Sequence, residues 1–225
     1  DQELRINNVT SDLTVRLVCE VSGHQEDDHA PVIAGDTLVK WNAVGDVVVP
    51  NNVKHIADFA FKGSSLTGLT ISAQVESIGE LPFMFCGQLK KLVVVPENQH
   101  FTSVDNAVYT KDGKELVQVA TAYQKETFSL PASVEKVRTG AFTFAIPIKK
   151  ILGGNDYFET VDGMLIRKAD RALMHYPSFV QPGQEPKPIE LPNDIKKIEK
   201  YAFAFNFLPQ KLVLPADVEV LEDYA

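Results

Sequence analysis

Apolar side chains recur along this chain at a spacing that suits neither a long strand nor a long helix. Pro131 is followed by Val134, Val137, Phe142, Ile148 and Ile151, and Pro50 by Val53, Ile56, Phe61, Leu66 and Leu69. Ser72 is followed by Val75, Ile78, Phe83, Leu89 and Leu92, and Pro192 by Ile195, Ile198, Phe203, Leu208 and Leu212. A partial copy opens at Pro215 with Val218 and Leu221. A unit of about 20 residues cannot bury its own apolar edge, so stacked units must complete one another's core. The pattern therefore predicts columns inside a solenoid, one of them built from Phe61, Phe83, Phe142 and Phe203. Within each unit it predicts a short strand around the second apolar position and a single helical turn before the Phe. A second strand is expected at Leu66–Ile71 and its equivalents.

A longer unit alternates with this one. Phe101–Ala120 and Phe158–Pro177 align without a gap, sharing Phe101/Phe158, Val104/Val161, Asp105/Asp162, Lys111/Lys168 and Leu116/Leu173. Asp112-Gly113, between two alternating apolar runs, predicts a hairpin turn; Ala169-Asp170 is a poorer turn at the same place. A shortened relative runs through Val32-Ile33, Gly35-Asp36, Leu38-Val39 and Trp41 into Pro50. Nearer the start, Leu13, Val15, Leu17, Cys19 and Val21 alternate as in a half-buried strand. The chain thus divides into a cap strand with an acidic loop over residues 1–30 and a solenoid over residues 31–225. Short repeats start near residues 50, 72, 131, 192 and 215, and longer hairpin-containing units lie near 31–49, 96–130 and 153–191. Ala225 is the small residue just before an expected aromatic, so further repeats or a cap are expected to follow it.

The pattern Pro-x-x-Val-x-x-Ile-x-x-x-Ala-Phe, followed by Leu-x-x-Leu, resembles the BspA-like leucine-rich repeat family of bacterial surface proteins. The likeness runs from about Ala30 to the end, with Ser72 in place of Pro and Pro82 in place of Ala as departures. That family contains such longer units, with a Val-Asp-Gly…Leu-Tyr-x-Lys-Asp-Gly…Leu core, which the units here resemble. The resemblance implies a right-handed leucine-rich repeat solenoid, β-rich, with parallel strands, short helical turns and inserted β-hairpin coils. It also implies a secreted or surface-displayed bacterial protein, located outside the cell or on its envelope. The partner it implies is another protein, such as a host matrix or cell-surface protein.

Charge and chemistry narrow the reading. The net charge is −8, and residues 1–50 hold nine acidic against three basic side chains. That balance opposes nucleic-acid binding, which needs a basic surface. No run of about 18 apolar residues is present, so no membrane-spanning helix is expected. Two cysteines, Cys19 and Cys86, make no disulfide framework, and Cys86 reads as a small buried thiol. His24 to His29 places two histidines and three acids in one loop without the ligand spacing of a known metal motif. No catalytic motif is found, and His55, His100 and His175 fall in different units. No catalytic residue, cofactor or metal is expected.

One surface stands out. Lys90, Lys91, Lys149, Lys150 and Lys211 occupy equivalent places on the second strand of their repeats, with Thr67-Gly68 in the first copy. Strands about 4.8 Å apart would line these lysines up as a basic stripe for an acidic partner, or simply keep the sheet soluble. The function that the family resemblance implies is non-catalytic protein recognition or adhesion. The alternatives are a structural spacer in a larger envelope protein and a glycan-binding module. Trp41, Tyr123, Tyr157 and Tyr176 are the aromatics uncommitted to the repeat core.

Overall fold

A computed structural model describes residues 29–177, 190–204 and 212–225. In chain order the strands are Val32–Ala34 (β1), Thr37–Lys40 (β2), Val44–Val48 (β3), His55–Ile56 (β4), Ser65–Ile71 (β5), Ser77–Ile78 (β6) and Lys91–Val94 (β7). Then come Phe101–Val104 (β8), Ala107–Thr110 (β9), Glu115–Val119 (β10), Thr127–Ser129 (β11), Lys136–Val137 (β12) and Lys150–Leu152 (β13). The remainder are Phe158–Val161 (β14), Met164–Arg167 (β15), Ala172–His175 (β16), Lys197–Ile198 (β17) and Val220–Leu221 (β18).

These strands form a solenoid with two sheet-bearing flanks. One flank carries three mixed sheets, ordered β1-β2-β4-β6, β8-β9-β10-β12 and β14-β15-β16-β17-β18. Each opens with an antiparallel unit and continues with two-residue parallel strands, as where Leu38 pairs Ile56 and Ile56 pairs Ile78. The other flank carries the parallel sheets β3-β5-β7 and β11-β13. In the repeats opening at Pro50, Ser72 and Pro131 the short strand and the second strand are where the spacing predicts them; the second strand expected from Leu208 lies outside the described residues. The expected helical turns are tight i-to-i+3 turns, such as Lys62 N to Phe59 O at 2.8 Å, and no helix occurs among the described residues.

The residue that opens each repeat does one job throughout. Its carbonyl accepts from the residue three places on, at Pro50, Ser72, Pro131, Pro192 and Pro215. Ser72 thus keeps the turn of its proline counterparts, but its buried Oγ lacks a partner.

The predicted Phe column exists, and the long coils extend it. Phe61, Phe83, Phe142 and Phe203 are all buried. Trp41 stacks on Phe61 at 5.8 Å, and Phe61 on Phe83 at 5.4 Å. In the next coils Tyr123 meets Phe128, Phe128 meets Phe142 at 5.1 Å, and Phe142 lies against His175 at 5.1 Å with rings 23° apart. Tyr176 then covers Phe203. Each coil without its own Ala-Phe turn supplies a substitute ring, because a gap in a close-packed column forfeits dispersion contacts on both sides.

The unit near 31–49 keeps a single hairpin, β1-β2, whereas β8-β9-β10 and β14-β15-β16 are three-stranded meanders. The turn expected at Asp112-Gly113 is present, with Gly113 at φ 71°. A second turn precedes it at Asp105-Asn106, with both residues left-handed at φ 51° and 58°, as a primed two-residue turn requires. The second meander turns at Asp162-Gly163. At its other turn the left-handed residue is Arg171, at φ 51°, one place beyond Asp170, the counterpart of Gly113.

Each meander is tied to the coil below by one asparagine. Asn98 Nδ2 donates to the carbonyls of Ser72 and Val75, and its Oδ1 accepts from the backbone of His100 and Phe101. Asn155 repeats this with Ala132, Val134, Tyr157 and Phe158. Lys111 and Lys168 donate to the carbonyls of Asn98 and Asn155, which accounts for their shared position.

Candidate functional site

The turns that carry the core phenylalanines also hold a second set of rings, several of which face outward. Three residues after the second apolar position stand Phe59, Leu81, Gly140, Tyr201 and Tyr224, all left-handed, at φ 57°, 44°, 79°, 66° and 58°. Two residues after the core Phe stand Gly63, Phe85 and Phe144, again left-handed at 73°, 62° and 69°. This backbone suits glycine and costs other residues about 1 kcal/mol or more. Gly63 and Gly140 show that the scaffold accepts glycine in both columns. Aromatic residues nonetheless fill most of these places, and several are exposed: Phe59 is 42% exposed, Phe85 50% and Tyr224 76%.

The turns form one ridge although a meander separates them in sequence. The Phe85 and Phe144 rings meet edge to face at 4.9 Å. Arg138 Nη1 donates to the Ile78 carbonyl at 2.8 Å, bridging the same two coils. A side chain at Gly140 would bring its Cβ within 2.6 Å of Leu81 Cδ2, so this coil has room only for glycine there. Lys62 Nζ sits 5.9 Å from the ring centres of both Phe59 and Phe85. Further along, Tyr201 and Tyr224 stack at 5.9 Å with Lys200 over Tyr201 at 5.0 Å.

The lysines predicted as a stripe fall on separate sheets. Lys91 begins β7 and Lys150 begins β13, with Lys90 and Lys149 just before them. Lys91 lies opposite Gly68, and Lys150 opposite Thr127. The first turn of each following meander closes the edge. Leu92 N donates to Asn106 Oδ1 and Val94 N to Ser103 Oγ, while Ile151 N donates to the Gly163 carbonyl. Lys149 pairs with Glu126 of the coil beneath. Among the described residues Lys90, Lys91 and Lys150 take part in no ion pair; Lys211 lies outside the described residues.

A cleft of about 580 Å³ opens beside the ridge, lined by Asp58, Glu80, Glu115, Glu135, Arg138 and Arg167 among others. Its charges serve the stack. Glu115 binds Arg138 at 3.0 Å, Glu135 binds Lys114 at 2.8 Å, and Arg167 bridges Asp170 and Glu199 at 2.7 and 2.5 Å. His55 Nδ1 lies 2.8 Å from Ser77 Oγ, a contact between facing residues of β4 and β6. Among the described residues no group of His, Cys, Asp and Glu is placed to hold a metal ion. His29 contacts the Asn42 carbonyl, and the rest of its acidic loop lies outside the described residues.

Two buried groups bear on the sequence reading. Cys86 is a free thiol that donates to the Phe61 carbonyl at 2.8 Å, and burial raises its pKa, so it is a core residue. Cys19 lies outside the described residues. His175 is buried in the aromatic column, and burial lowers its pKa from 6.5 to about 3.

Of the four uncommitted aromatics only Tyr157 is exposed. Trp41 and Tyr123 are core, and Tyr176 is half-buried on Phe203. The other exposed rings are Phe59, Phe85 and Tyr224, and sequence spacing alone does not separate the first two from the core rings two residues away. The signal was an aromatic aligned with a glycine in a sister repeat.

No curated protein matches the sequence. The sequence profile of the BspA type leucine rich repeat region matches residues 35–156 and 183–225 in 6 copies. Among solved structures the chain is similar to the pneumococcal vaccine antigen PcpA, at 21% identity and TM-score 0.45, over 80% of this chain and 47% of that one. A leucine-rich repeat protein from Eubacterium ventriosum aligns at 15% identity and TM-score 0.44, over 80% and 55%. A leucine-rich cell surface protein from Faecalibacterium prausnitzii aligns at 16% identity and TM-score 0.37, over 88% and 72%. The chain spans about half the length of the first two. With the repeat profile covering most of its length and the coils stacked as that profile requires, the chain belongs to the BspA-type leucine-rich repeat family.

Proposed function

We propose that this protein is a non-catalytic recognition module, displayed outside a bacterial cell, that binds another protein through the ridge of its repeat turns. One observation carries the reading. Phe59 and Phe85 present rings to solvent from left-handed backbone where sister coils use glycine. Phe85 braces Phe144 across the coils, but glycine holds the same places in sister coils, so the turns themselves do not require the exposed faces of these rings. Backbone outliers of this kind concentrate at binding sites, and rigid aromatic anchors dominate protein interfaces. Repeat solenoids in general offer such extended surfaces for binding.

The test is surface plasmon resonance of the full chain against a panel of host matrix proteins, beside a glycan array. The comparison protein carries Phe59→Gly and Phe85→Gly. Relief of the left-handed strain offsets the loss of half-buried rings, so each change is expected to alter stability by no more than about 1 kcal/mol. Binding to at least one panel protein, lost in the double variant, is the expected result. Silence on the panel and on the array overturns the proposal and leaves the spacer role. Binding confined to the array overturns it in favour of glycan recognition.

A further inference from the structure

We infer that the ridge and the lysines beyond it form one site for an acidic polypeptide segment that carries an apolar anchor. This rests on the recognition reading above and specifies its partner. Phe85 and Phe144 stand at the same place in their repeats, and each is followed at the same offset by a lysine pair, Lys90-Lys91 and Lys149-Lys150. Because the two rings touch at 4.9 Å, both pairs leave the same ridge. Glu126, on the coil between, balances Lys149. Lys90, Lys91 and Lys150 remain as exposed cations, and Lys62 adds a fourth beside the rings.

Residues 51–225 are nearly balanced, with 21 acidic against 19 basic side chains, so Lys90, Lys91 and Lys150, outside any ion pair among the described residues, give this stretch of surface a local positive field that favours an acidic partner. Asp46 bounds the site. It sits two strands from Lys91 in the row Asp46–Gly68–Lys91, and Thr67 Oγ1 binds it at 2.6 Å. The apolar contact is shallow. Phe85 is half exposed and braced edge-on by Phe144, and Ile146 is exposed in the same turn. Such a surface seats one or two side chains of a polypeptide and offers no long wedge for burial in a lipid layer.

Fluorescence anisotropy with a labelled synthetic peptide alternating Glu with Leu and Phe tests the inference. Its Lys-for-Glu counterpart and phosphatidylserine-containing vesicles serve as competing probes. The acidic peptide is expected to bind, less tightly at high salt, and the triple charge reversal K90E/K91E/K150E is expected to weaken it at least about tenfold. Circular dichroism checks that the triple variant, altered only at exposed positions, still folds. Equal affinity of the variant, or equal binding of the Lys peptide or the vesicles, overturns the inference. If Phe85→Gly abolishes capture of a matrix protein while the charge reversal leaves it intact, recognition through the ridge stands and the acidic partner does not. If neither change affects capture, both fall.

Discussion

His175 makes the stack sensitive to mild acid. Its ring lies inside the aromatic column against Phe142, and burial holds its pKa near 3 against 6.5 for an exposed imidazole. The folded chain therefore keeps the ring neutral, while the unfolded chain protonates it. The stabilisation is complete above pH 6.5 and is lost progressively as the pH falls toward 3. Each pH unit in that interval removes about 1.4 kcal/mol, so the step from pH 7.5 to 5.0 removes about 2 kcal/mol. The carboxylates held down by their partners, such as Asp105 beside Lys125, begin to titrate only at lower pH, which leaves this window to the histidine. Urea denaturation followed by circular dichroism at the two pH values measures the loss. His175→Phe keeps a ring in the column and removes the titration, and His175→Gln removes both. Both variants are expected to lose less than about 0.5 kcal/mol over the same step. A wild type whose stability is flat from pH 7.5 to 5.0, or variants as acid-sensitive as wild type, would refute the assignment.

Phe142→Ala should cost about 3–5 kcal/mol, since it empties the slot between Phe128 and His175, whereas Lys150→Ala on the open face should stay within about 0.5 kcal/mol; thermal and urea melts compare them. Asn98→Ala should cost about 3 kcal/mol by leaving the buried carbonyls of Ser72 and Val75 and two backbone N–H groups short of partners, and hydrogen exchange should show β8 opening first. Ser72→Pro should add about 0.5–1 kcal/mol, because it matches the other repeat openings and removes an unpartnered hydroxyl; an unchanged or lower melting point would show that its ring does not fit there.

The core was legible because burial fixes residue type at regular intervals. Val53, Ile56 and Phe61 recur with their spacing intact, and each recurrence must meet its counterpart in the stack. The meanders were less so. Asp112-Gly113 announces its turn, but Asp105-Asn106 has no glycine, and its twin Asp162-Gly163 becomes informative only when the two units are superposed. Trp41, Tyr123 and Tyr176 were left without a place because they fill gaps that exist only once the coils are stacked. The ridge was hidden by Phe59-Ala60-Phe61 and Phe83-Met84-Phe85. Each pairs an inner ring with an outer one, and hydrophobicity cannot order the two. The lysines were equivalent by alignment, yet the turns of the meanders end their sheets at β7 and β13, which sequence spacing does not reveal.

The exchange of ring for glycine along the ridge bears on how such proteins diversify. Because Phe59, Phe85 and Tyr224 hold exposed rings outside the packed column, a mutation at one of them rewrites one tooth of the outer surface and leaves the buried spine in place. Such a surface can change one coil at a time while the frame is inherited unaltered.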